Sequence, residues 1–290
     1  MASLWIEPPD LATRNFFDGP FASMAPAEAA RYELVATDST GYSAGYDVRD
    51  AQGVKWSVKI GKEAQPEVTV SRILSGLGFH QPPVFLLHDW QLTGASVDQS
   101  TLRPARFRRS VEDAQVVADW SWYENQFVGS QPFQGLVVVN LMLNNWDWKT
   151  SNNKIYDRPN ATDGPTRVYI VRDLGASLGK TSFPQFLKWT PARGMGQGSR
   201  NDVDGFVEQG FIKEIDGDRV KFHYNGINQK LVDTITVKDV VWASRLMSRV
   251  SDAQWHDAFR AGGFAPGEQQ RYVEKLKSKI REGLALAGPA

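Results

Sequence analysis

The chain has 290 residues, 33 basic and 33 acidic side chains, and no cysteine. The missing cysteine excludes disulfides, thiolate nucleophiles and cysteine-ligated zinc, and the balanced charge argues against nucleic acid as the main partner. No transmembrane segment and no signal peptide is evident. We therefore expect a soluble protein, cytoplasmic by default, or periplasmic or secreted if a leader precedes this sequence.

The first part of the chain is predicted to form an arm followed by a sheet. Residues 1–30, rich in Pro, Ala and Phe, are expected to be an irregular N-terminal arm. Residues 31–115 carry strand patterns with one helix after the third strand, and that helix begins near Pro66 and ends at Gly78. The predicted strands cover 31–36, 45–50 and 53–60, followed by the segments PPVFLLHDWQL and TLRPARFRR. We expect an antiparallel sheet of about five strands.

The second part, residues 116–290, is predicted to be mostly helical. The segment QPFQGLVVVNLMLNN is apolar on nearly all sides, which is typical of a buried helix. The segments NKIYD and RVYIV predict one hairpin, and FIKEIDGDRVKFHY predicts another with Asp-Gly at its turn. Three helices are expected between residues 237 and 286. The glycine-rich segment 193–202 is expected to be mobile.

Lys59 and Glu67 form the first candidate functional pair. Lys59 lies on the strand face opposite Trp56 and Val58, where a lone lysine is usually just solvated. Glu67, however, projects only about 20° from the apolar Leu74 on the following helix, so its carboxylate faces the core and needs a cation. A strand lysine paired with a helix glutamate is how kinases hold a lysine ready for nucleotide phosphates.

Gly41 and Gly45 lie between two predicted strands, one strand before Lys59. Glycines at such a place let the backbone approach phosphate oxygens closely. A plain hairpin loop is the alternative for these two residues.

Three further residues suggest metal-assisted chemistry. In the segment DWKTSN, Asp147 could orient or deprotonate a hydroxyl group, and the side-chain carbonyl of Asn152 could bind a metal ion. Asp173 follows the apolar run VYIV, and a carboxylate at the end of a buried strand needs a cation. Magnesium between Asn152 and Asp173 would meet that need. The ordinary alternatives are a common Asp-Leu-Gly turn and a helix cap at Asp147.

Two other groups of residues, arginines and tryptophans, each allow two interpretations. The arginines Arg103, Arg106, Arg108 and Arg109 are expected to form a solvated strand face, with a phosphate- or partner-binding face as the alternative. The tryptophans are expected to pack in the core, with a sugar-binding platform as the alternative; they are Trp120, Trp122, Trp146 and Trp148. The four histidines have no zinc-ligand spacing, and no G-x-S-x-G motif is present.

Taken in order, these motifs resemble the protein-kinase-like fold. The glycine loop, the lysine of SVK, the helix glutamate, the Asp-x4-Asn segment, the hairpin and the DLG segment follow one another between residues 31 and 179. NWD stands where ordinary kinases have His-Arg-Asp, so the likeness is to an atypical branch, HipA-like or phosphoinositide-kinase-like. The segments around Lys59 and Asp147 are also similar to a group of uncharacterised bacterial proteins.

The resemblance implies a two-lobed α+β fold, with 31–115 as the N-lobe and 116–290 as the C-lobe. It implies ATP with Mg²⁺ or Mn²⁺, and transfer of the γ-phosphate to a hydroxyl of a protein, lipid or small-molecule substrate. Lys59 and Asp147 would be the catalytic residues, and Asn152 and Asp173 would bind the metal. The nucleotide would be held by Gly41, Gly45, Lys59 and Glu67.

Two departures from the kinase pattern keep other functions open. No Ala-Pro-Glu motif follows the DLG segment, and the stretch from Asn152 to Asp173 is long. The segment 180–202 stands in the place of an activation segment and is a candidate substrate loop. The alternatives are a non-catalytic kinase-like protein that binds a nucleotide or a partner, and nucleotidyl transfer on the same fold.

Overall fold

The computed structural model describes residues 1–38, 43–111, 114–162, 164–181 and 198–288. In chain order, the strands and helices before residue 112 are β1 (Ala2–Ser3), β2 (Ala30–Asp38), β3 (Gly45–Arg49), β4 (Lys55–Ile60), α1 (Ala64–Gly76), β5 (Val84–Leu87), β6 (Trp90–Thr93) and β7 (Ala105–Arg109). The elements that follow are β8 (Gln115–Asp119), α2 (Gln131–Met142), β9 (Asn153–Asp157), β10 (Arg167–Val171), α3 (Val203–Glu208), β11 (Ile212–Asp216), β12 (Arg219–Phe222), α4 (Gln229–Val232), α5 (Val237–Ser248), α6 (Asp252–Ala261) and α7 (Pro266–Ala285).

The first half is built on a six-stranded sheet with the order β5-β7-β4-β3-β2-β6. The alternation predicted on β4 is confirmed, because Trp56 and Val58 are buried on one face in a cluster with Tyr32, Trp90 and Phe107. This cluster is large enough to give the sheet a core of its own, separate from the core of the helical half.

The segment PPVFLLHDWQL differs from its prediction as one strand. His88 and Asp89 break it into β5 and β6, and these two strands lie at opposite edges of the sheet. A two-residue connection between opposite edges requires a strongly curled sheet. β6 then pairs parallel with β2, whereas the other pairs within this sheet are antiparallel as predicted.

The second half packs helices around α2, which is buried over most of its length as predicted. α5 crosses α2, and α7 packs against α3, α5 and α6. A four-stranded sheet with the order β1-β10-β9-β8 adjoins these helices and contains the predicted hairpin of β9 and β10. The predicted cap of α6 is confirmed, since Ser251 Oγ accepts a hydrogen bond from the Gln254 backbone N–H.

The N-terminal arm is part of the core. Its few regular elements are short, as predicted, but Leu4, Leu11 and Phe16 are buried in the cluster that also contains α2 and α7 residues. Phe16 lies directly over Gly76, where an added Cβ would come within 2.2 Å of the ring. β1 pairs parallel with β10, so the arm joins the sheet of the second half.

Three sequence-based expectations concern burial and placement. All four tryptophans between residues 120 and 148 are buried, which confirms core packing and contradicts a sugar-binding platform. Gly41 and residues 193–197 of the glycine-rich segment 193–202 lie outside the described residues. Within the described parts of the chain, no helix is both long and apolar enough to cross a membrane.

The crossing of α2 and α5 predicts a stability effect at Gly135. An added Cβ there would lie 2.0 Å from Cζ3 of Trp242, because the two helices approach closely. We expect Gly135→Ala to lower the free energy of unfolding by about 1–3 kcal/mol, the usual cost of overpacking. Urea denaturation measures the change. Gly267→Ala is the matched control, since no atom lies within 4 Å of its added Cβ. Equal stability of the two variants would contradict this packing.

Candidate active site

Lys59 lies at the centre of a cluster of carboxylates. Its ammonium is 3.3 Å from Glu67 Oε2, 3.3 Å from Asp173 Oδ1 and 3.6 Å from Glu63 Oε2. The ion pair predicted between Lys59 and Glu67 is therefore confirmed. The strand period places Lys59 on the face of β4 opposite to that of Trp56. Helix α1 begins only a few residues later, so Glu67 lies in the same cleft as the lysine.

Arg106 and Arg108 form a second layer of charge behind the lysine. In the register of β4 and β7, Arg106 is opposite Lys59 and Arg108 is opposite Ser57. Arg106 Nε is 2.9 Å from Glu67 Oε1. Arg108 Nη1 is 3.5 Å from the same oxygen and 3.7 Å from Asp173 Oδ1. The expectation of a solvated strand face is wrong for these two arginines, because Arg106 is 1% exposed and Arg108 is largely buried.

The oppositely charged groups of this cluster keep one another ionised. Burial alone would raise the pKa of Glu67, but the Arg106 guanidinium and the Lys59 ammonium outweigh it and the pKa is lowered. Burial would likewise lower the pKa of Lys59, but Glu67 and Asp173 raise it. The pKa of Asp173 is well below its usual range, since Lys59 and Arg108 outweigh its burial. All three groups are therefore charged near neutral pH.

Glu67 is expected to stabilise the fold as well as the site. It is 3% exposed and contacts two buried arginines, so Glu67→Gln would leave their charges poorly compensated. We expect a loss of about 3 kcal/mol in the free energy of unfolding, as for other broken buried ion pairs.

Chemical denaturation of Glu67→Gln at pH 7 measures this loss. Glu274→Gln is the control, because Glu274 is an exposed residue of α7 and its one described contact is with exposed Gln270. Similar stability of the two variants would mean that Glu67 is not needed to compensate the arginines.

Asp147 and Asn152 lie in a loop that adjoins Asp173. Asn152 Nδ2 donates a 2.9 Å hydrogen bond to the backbone carbonyl of Asp147, and the backbone N–H of Arg172 donates a 2.9 Å bond to the carbonyl of Asn152. The carboxylate of Asp147 is 2.8 Å from the exposed Lys149 ammonium. The Asp-x4-Asn spacing thus closes a compact loop beside the residue that follows β10.

Asp173 has an uncommon backbone conformation, and the chain after it is tightly packed. Asp173 has a φ of 54°, in the left-handed region that side-chain-bearing residues rarely adopt. Such conformations cluster at functional sites. At Gly175 an added Cβ would lie 2.5 Å from Cβ of Glu63, so glycine lets the chain after Asp173 pass close to the start of α1.

The side chains of Asn152 and Asp173 suit a hard divalent cation. Asn152 uses its amide nitrogen for the loop, which leaves its side-chain oxygen available, and Asp173 offers a carboxylate whose Oδ1 contacts Lys59 and Arg108. Both side chains offer oxygens of the kind that Mg²⁺ or Mn²⁺ prefers. In the described residues, no group of three or more His, Asp or Glu side chains could hold a metal ion. Phosphate and water oxygens would therefore have to complete the coordination.

A cavity of about 240 Å³ adjoins Lys59 and Asp173, but its described lining does not include Asp147 or Asn152. Gly45, Lys59, Glu63 and Asp173 line it, together with Arg108 and other residues of β3 and β7. Gly45 is the first residue of β3 and pairs with Lys59, whereas Gly41 lies outside the described residues. The cavity combines cations for an anionic ligand with carboxylates for a metal ion.

Sequence reasoning missed Glu63 and Arg200. Glu63 accepts a 2.8 Å hydrogen bond from Ser43 Oγ and pairs with Arg200 Nη1 at 2.7 Å. Arg200 also lies over the ring of Trp146 at 4.9 Å. The spacing of Lys59 and Glu63 offered a weak signal, but Arg200 is more than 130 residues away and only the fold shows the contact.

Comparison with known proteins identifies the fold. No protein-family model and no curated protein sequence matches the chain. Among solved structures, the chain is similar to the proinflammatory kinase CtkA of Helicobacter pylori, with a TM-score of 0.52 and 11% sequence identity. The similarity covers 89% of this chain and 96% of that one. The more specific likeness to HipA-like or phosphoinositide kinases stays a prediction. The chain therefore has a two-lobed, kinase-like α+β fold.

Proposed function

We propose that the chain is an ATP- and Mg²⁺-dependent phosphotransferase that moves the γ-phosphate of ATP to a hydroxyl group. The observation that carries this proposal is the position of Lys59, within 3.3 Å of both Glu67 and Asp173. These three residues come from β4, α1 and the end of β10, and they were singled out from sequence for these roles. The fold that the chain shares with the CtkA kinase supports the proposal.

Each residue has a role that follows from its surroundings. Lys59 would bind the phosphates, since it is held in the cleft by Glu67 and lines the cavity. Gly45, with Gly41, would let the backbone approach the phosphates. Asn152 and Asp173 would hold Mg²⁺ or Mn²⁺, which neutralises charge on the phosphates. Asp147 would orient or deprotonate the acceptor hydroxyl.

A non-catalytic nucleotide-binding protein is the second candidate. The observation that favours it is that the Asp173 carboxylate already pairs with two cationic side chains. Lys59 is 3.3 Å and Arg108 is 3.7 Å from its Oδ1. A metal ion has to compete with these cations for the carboxylate. For phosphotransfer, we infer that Lys59 exchanges Asp173 for nucleotide phosphates as the ion binds.

Nucleotide binding and turnover test the two candidates together. Purified protein is incubated with ATP, with and without MgCl₂, and thermal stability, ADP release and product mass are measured. The proposal predicts Mg²⁺-dependent stabilisation by ATP and ADP as a product. Stabilisation without turnover across a panel of protein, lipid and sugar acceptors would favour the non-catalytic candidate. Transfer of AMP would instead support nucleotidyl transfer, and absence of any nucleotide effect would overturn all three.

A further inference from the structure

A second cavity, of about 400 Å³, adjoins the candidate active site. It shares Ser57, Arg108 and Arg172 with the smaller cavity that Lys59 lines. It lies between the end of β7, the strands β9 and β10, and part of the N-terminal arm. Of the functions predicted from the sequence, only the alternative of a phosphate- or partner-binding arginine face concerns this cavity, through Arg108 and Arg109.

The charge of this cavity is strongly one-sided. Arg108, Arg109, Arg158 and Arg172 line it, and its described lining contains no carboxylate. Glu112 and Asp113, which follow Val111 in the chain, are not among the described residues. His80 also lines the cavity, but burial and Arg158 lower its pKa to about 4, so the ring adds no charge near neutral pH.

Three of the four arginines, Arg109, Arg158 and Arg172, have no carboxylate within salt-bridge distance in the described part of the chain, although Arg172 interacts at longer range with Asp173. Arg172 donates from Nη1 to Tyr156 Oη at 2.7 Å, and its buried Nε has no hydrogen-bond partner. Arg109 makes a long 3.5 Å contact with the carbonyl of Met24 and lies over the ring of Trp56. The Arg158 side chain makes no described hydrogen bond or ion pair. Cations gathered in a concave site whose described lining holds no counter-charge favour the binding of an anion.

The apolar part of the cavity lining indicates what kind of molecule would carry the anionic group. Val116, Val168 and Ile170 present apolar surface on the side of the four-stranded sheet. Guanidinium groups donate pairs of hydrogen bonds to carboxylate and phosphate and accept none. A ligand that satisfies both surfaces has an anionic group at one end and an apolar or planar body at the other.

We propose that this cavity binds a small molecule that carries a phosphate or carboxylate on an apolar or planar body. The proposal does not depend on the phosphotransfer proposed above. The anionic group belongs either to the nucleotide itself or to a separate molecule. Because Arg108 and Arg172 line both cavities, binding in one is expected to change affinity in the other.

Phenyl phosphate is the probe for the test. Inorganic phosphate and phenol, which correspond to its anionic and apolar halves, are the comparison ligands. Calorimetric titration of the whole chain is expected to show one site, with affinity for phenyl phosphate about 10-fold or more above that for either half, because both ends of the probe gain contacts. Arg158→Gln and Arg109→Gln are each expected to weaken phenyl phosphate about 10-fold. Arg281→Gln, an exposed arginine of α7, should leave it unchanged.

Two outcomes would overturn the proposal. One is the absence of phenyl phosphate binding at millimolar concentration. The other is phenyl phosphate binding that neither Arg158→Gln nor Arg109→Gln weakens, provided that thermal melting shows both variants to be folded. Titration of phenyl phosphate at increasing Mg²⁺–ATP then separates the sources of the anion. An apparent affinity that falls without limit assigns the group to the nucleotide, and one that changes only to a plateau means that both ligands bind at once and assigns it to a separate molecule. If ATP does not bind at all, phosphotransfer fails while the phenyl phosphate result stands.

Discussion

Asp173→Asn is expected to lower Mg²⁺-dependent ATP turnover by about 10²-fold or more, the size expected when one charged group that stabilises the transferred phosphate is lost. Asn retains the shape of Asp but lacks its charge, so the metal ion and Lys59 both lose their partner. Asn also tolerates the left-handed backbone that Asp173 adopts at a φ of 54°, whereas Ala would add strain. Steady-state kinetics over a range of MgCl₂ concentrations measures the effect.

The Asp173→Asn measurement needs a fold control. Asp173 pairs with Lys59 and Arg108, so the variant is expected to be less stable than the wild type, and circular dichroism must show that it remains folded at the assay temperature. Asp218→Asn is the matched substitution, because Asp218 lies in an exposed turn and pairs only weakly with Arg219 at 3.6 Å. Unimpaired turnover in folded Asp173→Asn would contradict the metal-binding role.

The sequence was most informative where local periodicity determines which way a side chain points. The two-residue period of β4 placed Lys59 opposite Trp56 and Val58, and the helical period placed Glu67 with the core-facing Leu74. Both periodicities depend on a few neighbouring residues, and the observed ion pair follows from them once α1 packs on the sheet.

The sequence was least informative where contacts depend on strand register and distant segments. The strand period predicts that Arg106 and Phe107 point to opposite faces of the sheet. Only the register that pairs Arg106 with Lys59 shows that its guanidinium reaches Glu67. Register between β4 and β7, more than 40 residues apart, cannot be obtained from either strand alone. The same limit hid the cavity of four arginines, whose walls come from β7, β9, β10 and their flanking segments.

Irregular segments were also underestimated. The arm carries its apolar residues at irregular intervals, so neither helical nor strand periodicity identified Leu4, Leu11 and Phe16 as core residues. The break between β5 and β6 was hidden by the apolar residues on both sides of His88 and Asp89. In both cases burial is set by tertiary packing and leaves no periodic signal.

Asp147→Asn is expected to separate binding from chemistry. Asp147 has no described contact with Lys59 or Asp173, so affinity for Mg²⁺–ATP should remain near that of the wild type. The rate of phosphoryl transfer should fall by about 10²–10⁴-fold, because the acceptor hydroxyl loses the group that orients it and removes its proton. Single-turnover transfer to the acceptor found in the panel, together with ATP affinity from calorimetry, measures the two quantities.

Lys149→Gln is the matched control for Asp147→Asn. The Lys149 ammonium is 2.8 Å from the Asp147 carboxylate, yet its side chain is 58% exposed. An ion pair this exposed contributes less than about 1 kcal/mol, so its loss should change the transfer rate by no more than about 5-fold. Asp147 can therefore exchange this solvent-exposed partner for a substrate hydroxyl at little cost. Wild-type transfer rates in Asp147→Asn would exclude Asp147 as the base, and a large loss in Lys149→Gln would mean that the lysine itself contacts the transferred group or the acceptor.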